Sequence, residues 1–598
     1  MRRQDAETRR CHGWLVQPRT AGQAGHRPKV GRGTRAQIRL LWPALLVLAI
    51  LLAASDALAV GVRQFCFMVP MRDGTRLATD VYLPRLPRDA CPVILIRTPY
   101  GRHQITKLQA RFVCRQGFGL AVQDVRGRYG SEGADVTFSP SDVANQSTDG
   151  HDSIRWLARQ CWCDGRVATW GPSALGIAQN MLAPGAPKAL RAQHVMMAFS
   201  DMYSQAAYQG GAFRQELIEG WFQEYAFGAT GIETIRAHPR YDEFWARLNT
   251  ETRAAEVNVP AVFWGGWYDV FQQGTINSFV TVHNQGGPGA RGRCRLILGP
   301  WAHEDIERLV DPRNAGCWPR AGDPFRFFEY WLKGCRNGVP YDKPVHYYVM
   351  GDRCDPRAPG NFWRSADNWP PPSQPTEFYL HADGLIRDAA PETPDGQLSY
   401  RYDPSRPVPT VGGQNLNLPQ GPKDQRKIES RPDVLVFTTD VLSKPLEVSG
   451  RIYAKLYVSS DCPDTDFTVK LSDVYPDGRS MLLSDGILRA RYRESFEREE
   501  FLEPGKVYPL TVDLWSTSII FNRGHRIRVA VSSSNSPRFE PNPNTGGSYN
   551  DGQPPRIATN TLHLSNQRPS HVILPVYKAA VAARGPALVD ATRGPSTK

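Results

Sequence analysis

One serine of the chain stands in a context that suits nucleophilic catalysis. Ser173 lies in the segment WGPSALG (170–176), after residues that predict a strand and before residues that predict a helix. A hydrolytic serine needs such a tight turn, because strained backbone exposes its hydroxyl and flanking glycines let neighbouring chain approach. The second glycine comes one position later than in the common G-x-S-x-G pattern. On this motif alone, a helix cap is therefore an equal alternative.

Two further side chains have the types and order that a serine nucleophile requires. The hydroxyl needs a base to remove its proton, and the base needs a carboxylate that orients it and stabilises the imidazolium. Asp269 follows a predicted strand at 261–264, and His303 follows one at 295–298. The order Ser, Asp, His is that of α/β-hydrolases. We predict a triad of these three residues; the alternatives are a turn residue at 269 and a helix cap at 303.

The elements around these residues predict a mostly parallel sheet. Segment 69–83 predicts a hairpin around an Asp73-Gly74 turn. Short apolar runs at 93–96, 119–122 and 166–170 alternate with helix-length segments, the last of which extends from Ser173 to about Leu182. Continuous apolar strands of this kind are typical of a sheet that is buried on both faces. In such sheets ligands bind beyond the carboxyl ends of the strands.

An aromatic-rich segment separates Ser173 from Asp269. Helical spacings such as those of Phe213, Leu217 and Trp221 predict helices in it. We predict a helical cap over the site at about 190–257; the alternative is that these are simply more packed core helices.

The character of the sequence changes near Phe362. Alternating apolar runs, such as 452–458 and 526–531, are separated by turns, and helical patterns nearly vanish. These patterns predict an α/β-hydrolase domain at 60–365 and an all-β domain, a jelly roll or sandwich, at 366–580. Segment 404–424 is rich in Pro and Gly and predicts a loop, and residues 581–598 predict a disordered tail.

The N-terminal residues 1–59 resemble an export signal. An apolar run at 40–54 follows three arginines and precedes the small-x-small pattern Ala57-Leu58-Ala59. The run is shorter than the roughly twenty residues of a spanning helix. We therefore predict a cleaved signal peptide and a secreted or periplasmic protein. The alternative is an uncleaved membrane anchor, and without it we expect no stable membrane insertion.

Charge and cysteine content exclude some classes of protein. The formal charge is +13, but residues 1–59 carry +7 of it and no basic helix follows, which disfavours a nucleic-acid partner. Ten cysteines follow the signal segment, so disulfides are favoured over a metal. The C-x-C at 161–163 lacks the spacing of a zinc site, and the acidic stretch 461–477 lacks that of a calcium loop. We predict no metal and no cofactor.

Several motifs together resemble the cocaine esterase family, which includes α-amino acid ester hydrolases and Xaa-Pro dipeptidyl peptidases. They are RTPY (97–100), QDVRGRYGSEG (123–133), 162–176 and GPWAH (299–303), with 465–471 and 487–493 in the β domain. The resemblance covers about 69–564. It implies the triad named above and an oxyanion hole made of the Tyr100 hydroxyl and the Ala174 backbone N–H. Without the resemblance, a core tyrosine at a strand end is the favoured interpretation of Tyr100. This chain has Ala174 where the family usually has tyrosine, so its pocket shape is expected to differ.

Three functions are compatible with these residues. The first is a serine esterase or acylase that cleaves small ester or amide substrates through an acyl-enzyme. The second is an Xaa-Pro dipeptidyl aminopeptidase, whose substrate ammonium needs carboxylates; Asp201, Glu216 and Glu219 are candidates. The third is a non-catalytic binding protein on the same scaffold. Other residues have structural alternatives: Trp264, Trp267 and Trp301 line an acyl pocket or belong to the core, and Asp124 and Arg126 are expected to form a structural ion pair.

Overall fold

The computed structural model describes residues 61–85, 89–135, 140–225, 227, 231–304, 317–548 and 551–578. The predicted signal peptide and the predicted C-terminal tail lie outside these residues. Within the described ranges, no helix has both the length and the apolar character that crossing a membrane requires.

The first part of the chain alternates strands and helices. Its elements are β1 (Val62–Pro70), β2 (Arg76–Pro84), β3 (Cys91–Thr98), α1 (Lys107–Arg115), β4 (Gly119–Asp124), α2 (Pro140–Ala158), β5 (Cys163–Pro172), α3 (Ala174–Leu182), β6 (Leu190–Met196), β7 (Tyr208–Gln209), β8 (Ala212–Phe213), α4 (Gln215–Tyr225), α5 (Gly231–Ala237), α6 (Glu243–Arg247), β9 (Ala261–Tyr268), α7 (Gln272–Gln285), β10 (Arg295–Ala302), α8 (Pro324–Phe328), β11 (Val345–Val349) and β12 (Phe362–Ala366).

Ten of these strands form one sheet in the order β1-β2-β4-β3-β5-β6-β9-β10-β11-β12. The strands from β4 to β11 in that order are parallel to their neighbours, while β1, β2 and β12 pair antiparallel. The predicted hairpin is confirmed, with Val69 opposite Leu77. Strands such as β4 and β9 are buried at every position. Burial on both faces explains why these strands read as continuous apolar runs.

The start of the predicted cap at about 190 is wrong, because Leu190–Met196 is the central strand β6. A short apolar strand cannot be separated from a buried helix by periodicity alone, which is the reason for the error. The helices of this segment begin later, with the π-helical turn Tyr203–Ala207 and with α4.

The second part of the chain is a β domain. Its elements are β13 (Ser373–Leu380), β14 (Leu385–Arg387), β15 (Gln397–Tyr402), α9 (Arg426–Glu429), β16 (Leu435–Thr439), β17 (Leu446–Ser460), β18 (Asp466–Val474), β19 (Ser480–Arg489), β20 (Tyr508–Phe521), β21 (Arg526–Ser532), β22 (Ala558–Ser565), β23 (Arg568–Pro569) and β24 (His571–Tyr577). All twelve strands belong to one hydrogen-bonded sheet system, and its pairs are antiparallel except β14 with β16. The predicted all-β domain is therefore present, and its jelly-roll topology stays a prediction.

The first sheet ends at Ala366 and the next begins at Ser373. The change from one sheet to the other thus falls beside the boundary that we predict at 365. The two parts are in contact, since the Met350 backbone N–H donates to the Ser518 carbonyl and the Met350 carbonyl accepts from the Ile520 N–H, both partners lying on β20. Side chains of the two parts also share one apolar core.

Two expectations about cysteines and charges are corrected. Of the ten cysteines after the signal segment, Cys161 is disulfide-bonded, so the expectation of a disulfide is met there. The other nine carry free thiols, and the expected bridges among them are wrong. Asp124 and Arg126 do not pair with each other. The Asp124 carboxylate bonds Arg102 at 2.5 Å, and Arg126 bonds Asp149 at 2.6 Å and Asp73 at 2.7 Å. The strand ends at Asp124, so the two neighbouring side chains diverge toward different partners.

Candidate active site

Ser173 occupies the sharp turn between β5 and α3. Its backbone has φ 56° and ψ −129°, a conformation that costs a non-glycine residue of the order of 1–3 kcal/mol. The backbone N–H of Ser173 donates to the Met196 carbonyl at 3.0 Å, which ties the turn to the neighbouring strand β6. Strain of this kind is maintained at sites where a side chain must be presented in one orientation.

The glycines on either side of the turn are required by close packing. Gly171 has φ 150°, and a Cβ there would lie 2.5 Å from the Cβ of Leu175. A Cβ at Gly176 would lie 2.8 Å from the Met196 carbonyl oxygen and 2.9 Å from the Cβ of Ala198. The later position of the second glycine therefore still serves the same purpose, which is to let α3 begin against β6.

His303 and Asp269 are joined in a buried pair. The Asp269 side chain has no exposed surface, and its Oδ2 lies 2.7 Å from His303 Nδ1. Its other oxygen accepts from the Phe271 backbone N–H at 2.7 Å. Because a carboxylate only accepts, Nδ1 must be the protonated nitrogen, and Nε2 remains available as a base.

Tyr100 follows β3 and is buried beneath the helices that precede β9. The indole N–H of Trp221, on α4, donates to the Tyr100 hydroxyl oxygen at 3.1 Å. The Tyr100 ring lies 4.5 Å from that of Tyr225, also on α4. Burial raises the pKa of Tyr100 far above its ordinary value, and hydrogen bonding by Trp221 and Ser173 acts in the opposite direction. The phenol is therefore neutral and lies beside the serine.

Ala174 is the first residue of α3 and is buried. The first N–H groups of a helix have no partner within the helix, so the Ala174 N–H is available to an acceptor beside Ser173. Alanine stands here in place of the expected tyrosine, and this exchange of side chains leaves the backbone N–H donor unchanged.

A chain of contacts connects the imidazole to the serine side of the site. The Phe271 ring lies 5.6 Å from the His303 ring and 6.1 Å from that of Trp221, which bonds Tyr100. Ser173 and His303 both follow strands of the same parallel sheet, at its carboxyl edge. Among the hydrogen bonds of the described residues, none joins the Ser173 hydroxyl to His303. In free hydrolases this bond is often long and tightens when substrate binds.

The three predicted tryptophans belong to the core. Trp264 and Trp301 stack on each other at 4.3 Å, and Trp301 is fully buried. Trp267 donates its indole N–H to the Tyr348 carbonyl at 2.8 Å. The aromatic residues that do lie beside predicted site residues are Trp221, which contacts Tyr100, and Phe271, which contacts His303. Sequence reasoning missed them, since only the aromatic richness of the cap segment hinted at Trp221.

The predicted ammonium-binding carboxylates are engaged elsewhere. Glu219 forms an ion pair with Arg236 at 2.6 Å, and Glu216 accepts a hydrogen bond from the Asn417 backbone N–H. Asp201 lines a separate cavity between the two domains. Among the described residues, no hydrogen bond joins any of the three carboxylates to Ser173.

Two glutamates that the sequence did not single out are close to the site. Glu304 follows His303 directly, and its pKa is raised by partial burial, while the charge of His303 acts in the opposite direction. Glu224 raises the pKa of Glu304 and of the neighbouring Tyr225 hydroxyl, and it also acts on Tyr100. The approaches to Tyr100 and His303 thus carry negative charge.

The mostly parallel sheet, the strained serine after β5 and the buried acid–imidazole pair after β9 and β10 define an α/β-hydrolase. Residues 73–231 and 221–305 match the family described as X-Pro dipeptidyl-peptidase (S15 family). Residues 337–573 match the family described as the X-Pro dipeptidyl-peptidase C-terminal non-catalytic domain.

Individual relatives agree with these matches. Cocaine esterase from Rhodococcus sp. (strain MB1 Bresler) is 34% identical over 590 residues, which cover 86% of this chain and 98% of that protein. The structure of an aminopeptidase from a marine sediment archaeon, Thaumarchaeota archaeon, is similar with a TM-score of 0.73 and 26% identity, covering 87% of this chain and 97% of the other. An α-amino acid ester hydrolase structure has a TM-score of 0.72 and 25% identity, with 86% and 97% covered.

The chain therefore belongs to the family of cocaine esterase and the X-Pro dipeptidyl-peptidase-like hydrolases. It is a serine hydrolase of ester or amide bonds.

Proposed function

We propose that Ser173, His303 and Asp269 are the catalytic triad of this hydrolase. The observation that carries the proposal is the buried 2.7 Å bond between His303 and Asp269, at the same sheet edge as the strained Ser173 turn. His303 Nε2 takes the Ser173 proton as Oγ attacks the substrate carbonyl carbon. The carbon–oxygen or carbon–nitrogen bond then breaks, and the imidazolium gives its proton to the leaving group. Water activated by His303 later releases the acid from Ser173.

The Tyr100 hydroxyl and the Ala174 N–H form the oxyanion hole in this proposal. An indole N–H only donates, so the Tyr100 oxygen accepts from Trp221 and its own O–H remains free to donate. That O–H and the Ala174 N–H meet the charge that develops on the carbonyl oxygen. Each such donor contributes about 3–4 kcal/mol to lowering the barrier in enzymes where it has been measured.

The aromatic groups next to Tyr100 and His303 favour a flat acyl group. Trp221 and Phe271 lie next to each other, and their rings also contact Tyr100 and His303. Aromatic walls of this type bind an aryl acid by stacking and exclude water from the acyl-enzyme. We therefore assign aryl or other apolar acyl esters as the preferred substrate class.

A second candidate function rests on Glu224 and Glu304. Their charge beside Tyr100 and His303 suits a substrate that carries an α-ammonium group, as esters or amides of amino acids do. The cleavage of Xaa-Pro dipeptides would be one form of this activity.

Turnover of matched substrates separates the two candidates. We expect phenyl benzoate to be hydrolysed faster, by kcat/KM, than Gly-Pro p-nitroanilide. If the anilide is preferred, and Glu304→Gln raises its KM without changing that of phenyl benzoate, the aminopeptidase is the correct function. If both substrates are inert while the fold is intact, the alternative of a non-catalytic binding protein gains support.

Export of the mature chain is also part of the proposal, because an apolar run precedes an Ala57-Leu58-Ala59 pattern. Mass spectrometry of the protein made in its native host tests it. We expect the mature N-terminus at Val60, and a chain that keeps residues 1–59 would argue for an anchor.

A further inference from the structure

A cavity of about 620 Å³ lies between the two domains, apart from the proposed triad. The turn 203–207 and α7 contribute one wall, and strands β17, β19 and β20 contribute the other. Its described lining includes none of the proposed site residues Ser173, His303, Asp269 and Tyr100. A volume of this size is within the usual range for a small-molecule site.

The cavity contains a buried carboxylate without a cation. Asp201 accepts hydrogen bonds from the Ser204 hydroxyl and from the backbone N–H groups of Tyr203 and Ser204. Within the described part of the chain, no Lys, Arg or His nitrogen lies within ion-pair distance of Asp201. Burial, together with the neighbouring charge of Glu251, raises the pKa of Asp201 to about 6, although the hydrogen bonds from Ser204 and Tyr203 act in the opposite direction.

Glu251 is a second carboxylate close to Asp201. Its carboxylate accepts from the Ser200 hydroxyl at 2.7 Å, from Gln205 at 2.6 Å and from Asn277 at 3.3 Å. All three donors are neutral. Among the described residues that line the cavity, the cationic side chain is Arg451, which is paired with Asp513 and whose pKa is also raised by the charge of Glu251. Burying two neighbouring carboxylates costs free energy unless a positive group neutralises their charge.

An unpartnered donor points to a ligand independently. Gln209 lines the cavity and is only 3% exposed, and its Nε2 has no hydrogen-bond partner. Its Oε1 accepts from the Arg538 guanidinium at 3.4 Å. A guanidinium only donates, so the amide cannot be turned round and its N–H₂ group must face away from Arg538. A buried donor left in this way is satisfied by an acceptor oxygen from outside the protein.

Aromatic side chains complete the wall. They are Tyr203, Tyr241, Tyr453, Phe496 and Trp515. The faces of such rings attract cations and pack against apolar groups.

From these features we propose that the interdomain cavity is a second binding site, which takes a small aromatic amine that also carries an oxygen acceptor. The ligand's ammonium group lies against Asp201, its oxygen accepts from Gln209, and its ring packs among the aromatic residues. This site does not depend on the assignment of the triad.

Isothermal titration with phenylalaninol tests the proposal, because this compound has an ammonium group, a hydroxyl and a phenyl ring and contains no bond that the enzyme hydrolyses. We expect saturable binding to the full mature protein. Replacement of the ammonium by a hydroxyl, in 3-phenylpropane-1,2-diol, should weaken binding at least about tenfold. Loss of the hydroxyl alone, in 1-phenylpropan-2-amine, should weaken it about threefold to tenfold.

Variants locate the site. Asp201→Asn should weaken phenylalaninol binding about tenfold or more, and Gln209→Leu about threefold to tenfold. Ser495→Trp, at the cavity rim, should block binding while ester hydrolysis continues, and it keeps the test valid if the buried substitutions impair folding. Asp395→Asn, an exposed exchange of the same type, is the matched control and should bind as the unaltered protein does.

Protein treated with a fluorophosphonate separates this cavity from the triad. We expect treated and untreated protein to bind phenylalaninol equally. The proposal is overturned by the absence of binding at about 10 mM, by equal binding of the diol, by binding that Asp201→Asn and Ser495→Trp leave unchanged, or by loss of binding after the treatment. The same titrations remain informative if the triad assignment fails, since they do not measure hydrolysis.

Discussion

The two buried carboxylates Asp269 and Asp201 lie in contrasting environments. Asp269 is paired with the imidazole of His303 and with a backbone N–H, so its charge has an internal partner that can become positive. Asp201 accepts only from neutral groups and lines an open cavity. The comparison teaches that burial alone does not identify a catalytic acid. A catalytic carboxylate orients a base, whereas a carboxylate without a cation marks a place where a positive ligand gains most.

The largest expected effect is the loss of hydrolysis in Ser173→Ala, which should leave ligand binding in the interdomain cavity unchanged. Ser173→Ala should lower kcat for phenyl benzoate by about 10⁶-fold, because no nucleophile remains, as for serine hydrolases in general. Stopped-flow and endpoint assays over the pH range 6–9 measure it. Phenylalaninol binding should be unchanged in this variant. A residual activity within about tenfold of the unaltered enzyme would remove Ser173 from the mechanism.

The pairing of Asp269 should be almost as important. Asp269→Asn preserves shape but loses the charge that stabilises the His303 imidazolium, and an about 10⁴-fold lower kcat is expected. Asp201→Asn is the matched control, since it makes the same exchange at the other buried carboxylate. If both variants lose the same activity, the distinction between the two regions is incorrect.

Removal of the Tyr100 hydroxyl should have an intermediate effect. Tyr100→Phe should lower kcat by about 10²–10³-fold with little change in KM, because the lost hydrogen bond forms only with the developing oxyanion. Trp221→Phe keeps an aromatic ring but cannot donate to Tyr100, so a smaller decrease of about threefold to tenfold is expected. Equal kcat in Tyr100→Phe and the unaltered enzyme would place the oxyanion hole elsewhere.

The smallest effect concerns stability and its dependence on pH. The pKa of Asp201 is raised by burial from 3.8 to about 6 in the folded protein. The folded state therefore binds the proton more tightly, and stability is lost as the pH rises between about 4 and 6. Asp201→Asn removes this loss. The variant should gain about 3 kcal/mol in unfolding free energy, relative to the unaltered protein, between pH 4 and pH 7.

Urea unfolding at several pH values, followed by circular dichroism, measures this difference, with Asp395→Asn as the control. Glu251 is the other carboxylate that faces Asp201 and should also be replaced by Gln in a separate variant. Parallel pH profiles of the Asp201→Asn and unaltered proteins would show that the pKa of Asp201 is not raised in the folded protein.

Much of the fold and the proposed triad could be predicted because they depend on local patterns. The strand-turn-helix context of Ser173 and the strand ends before Asp269 and His303 are visible along the chain. The strand β6 was not predicted, since its seven residues have the same apolar character as a buried helix.

The remaining features depend on packing between distant segments. The bond from Trp221 to Tyr100 joins residues 121 positions apart, and that from Arg538 to Gln209 joins residues 329 apart. Neither pairing has a signal in local spacing. The ion pairs of Asp124 and Arg126 were assigned wrongly for the same reason, because partners across a sheet edge are not fixed by sequence proximity.

The central claim is that Ser173 is the hydroxyl that His303 activates. Labelling of the intact protein with a fluorophosphonate, followed by mass spectrometry of the proteolytic peptides, tests it most directly. We predict one adduct on the peptide that contains Ser173, at a rate that falls strongly in Asp269→Asn. An adduct on a different residue, or no adduct on a protein that still hydrolyses phenyl benzoate, would contradict the account.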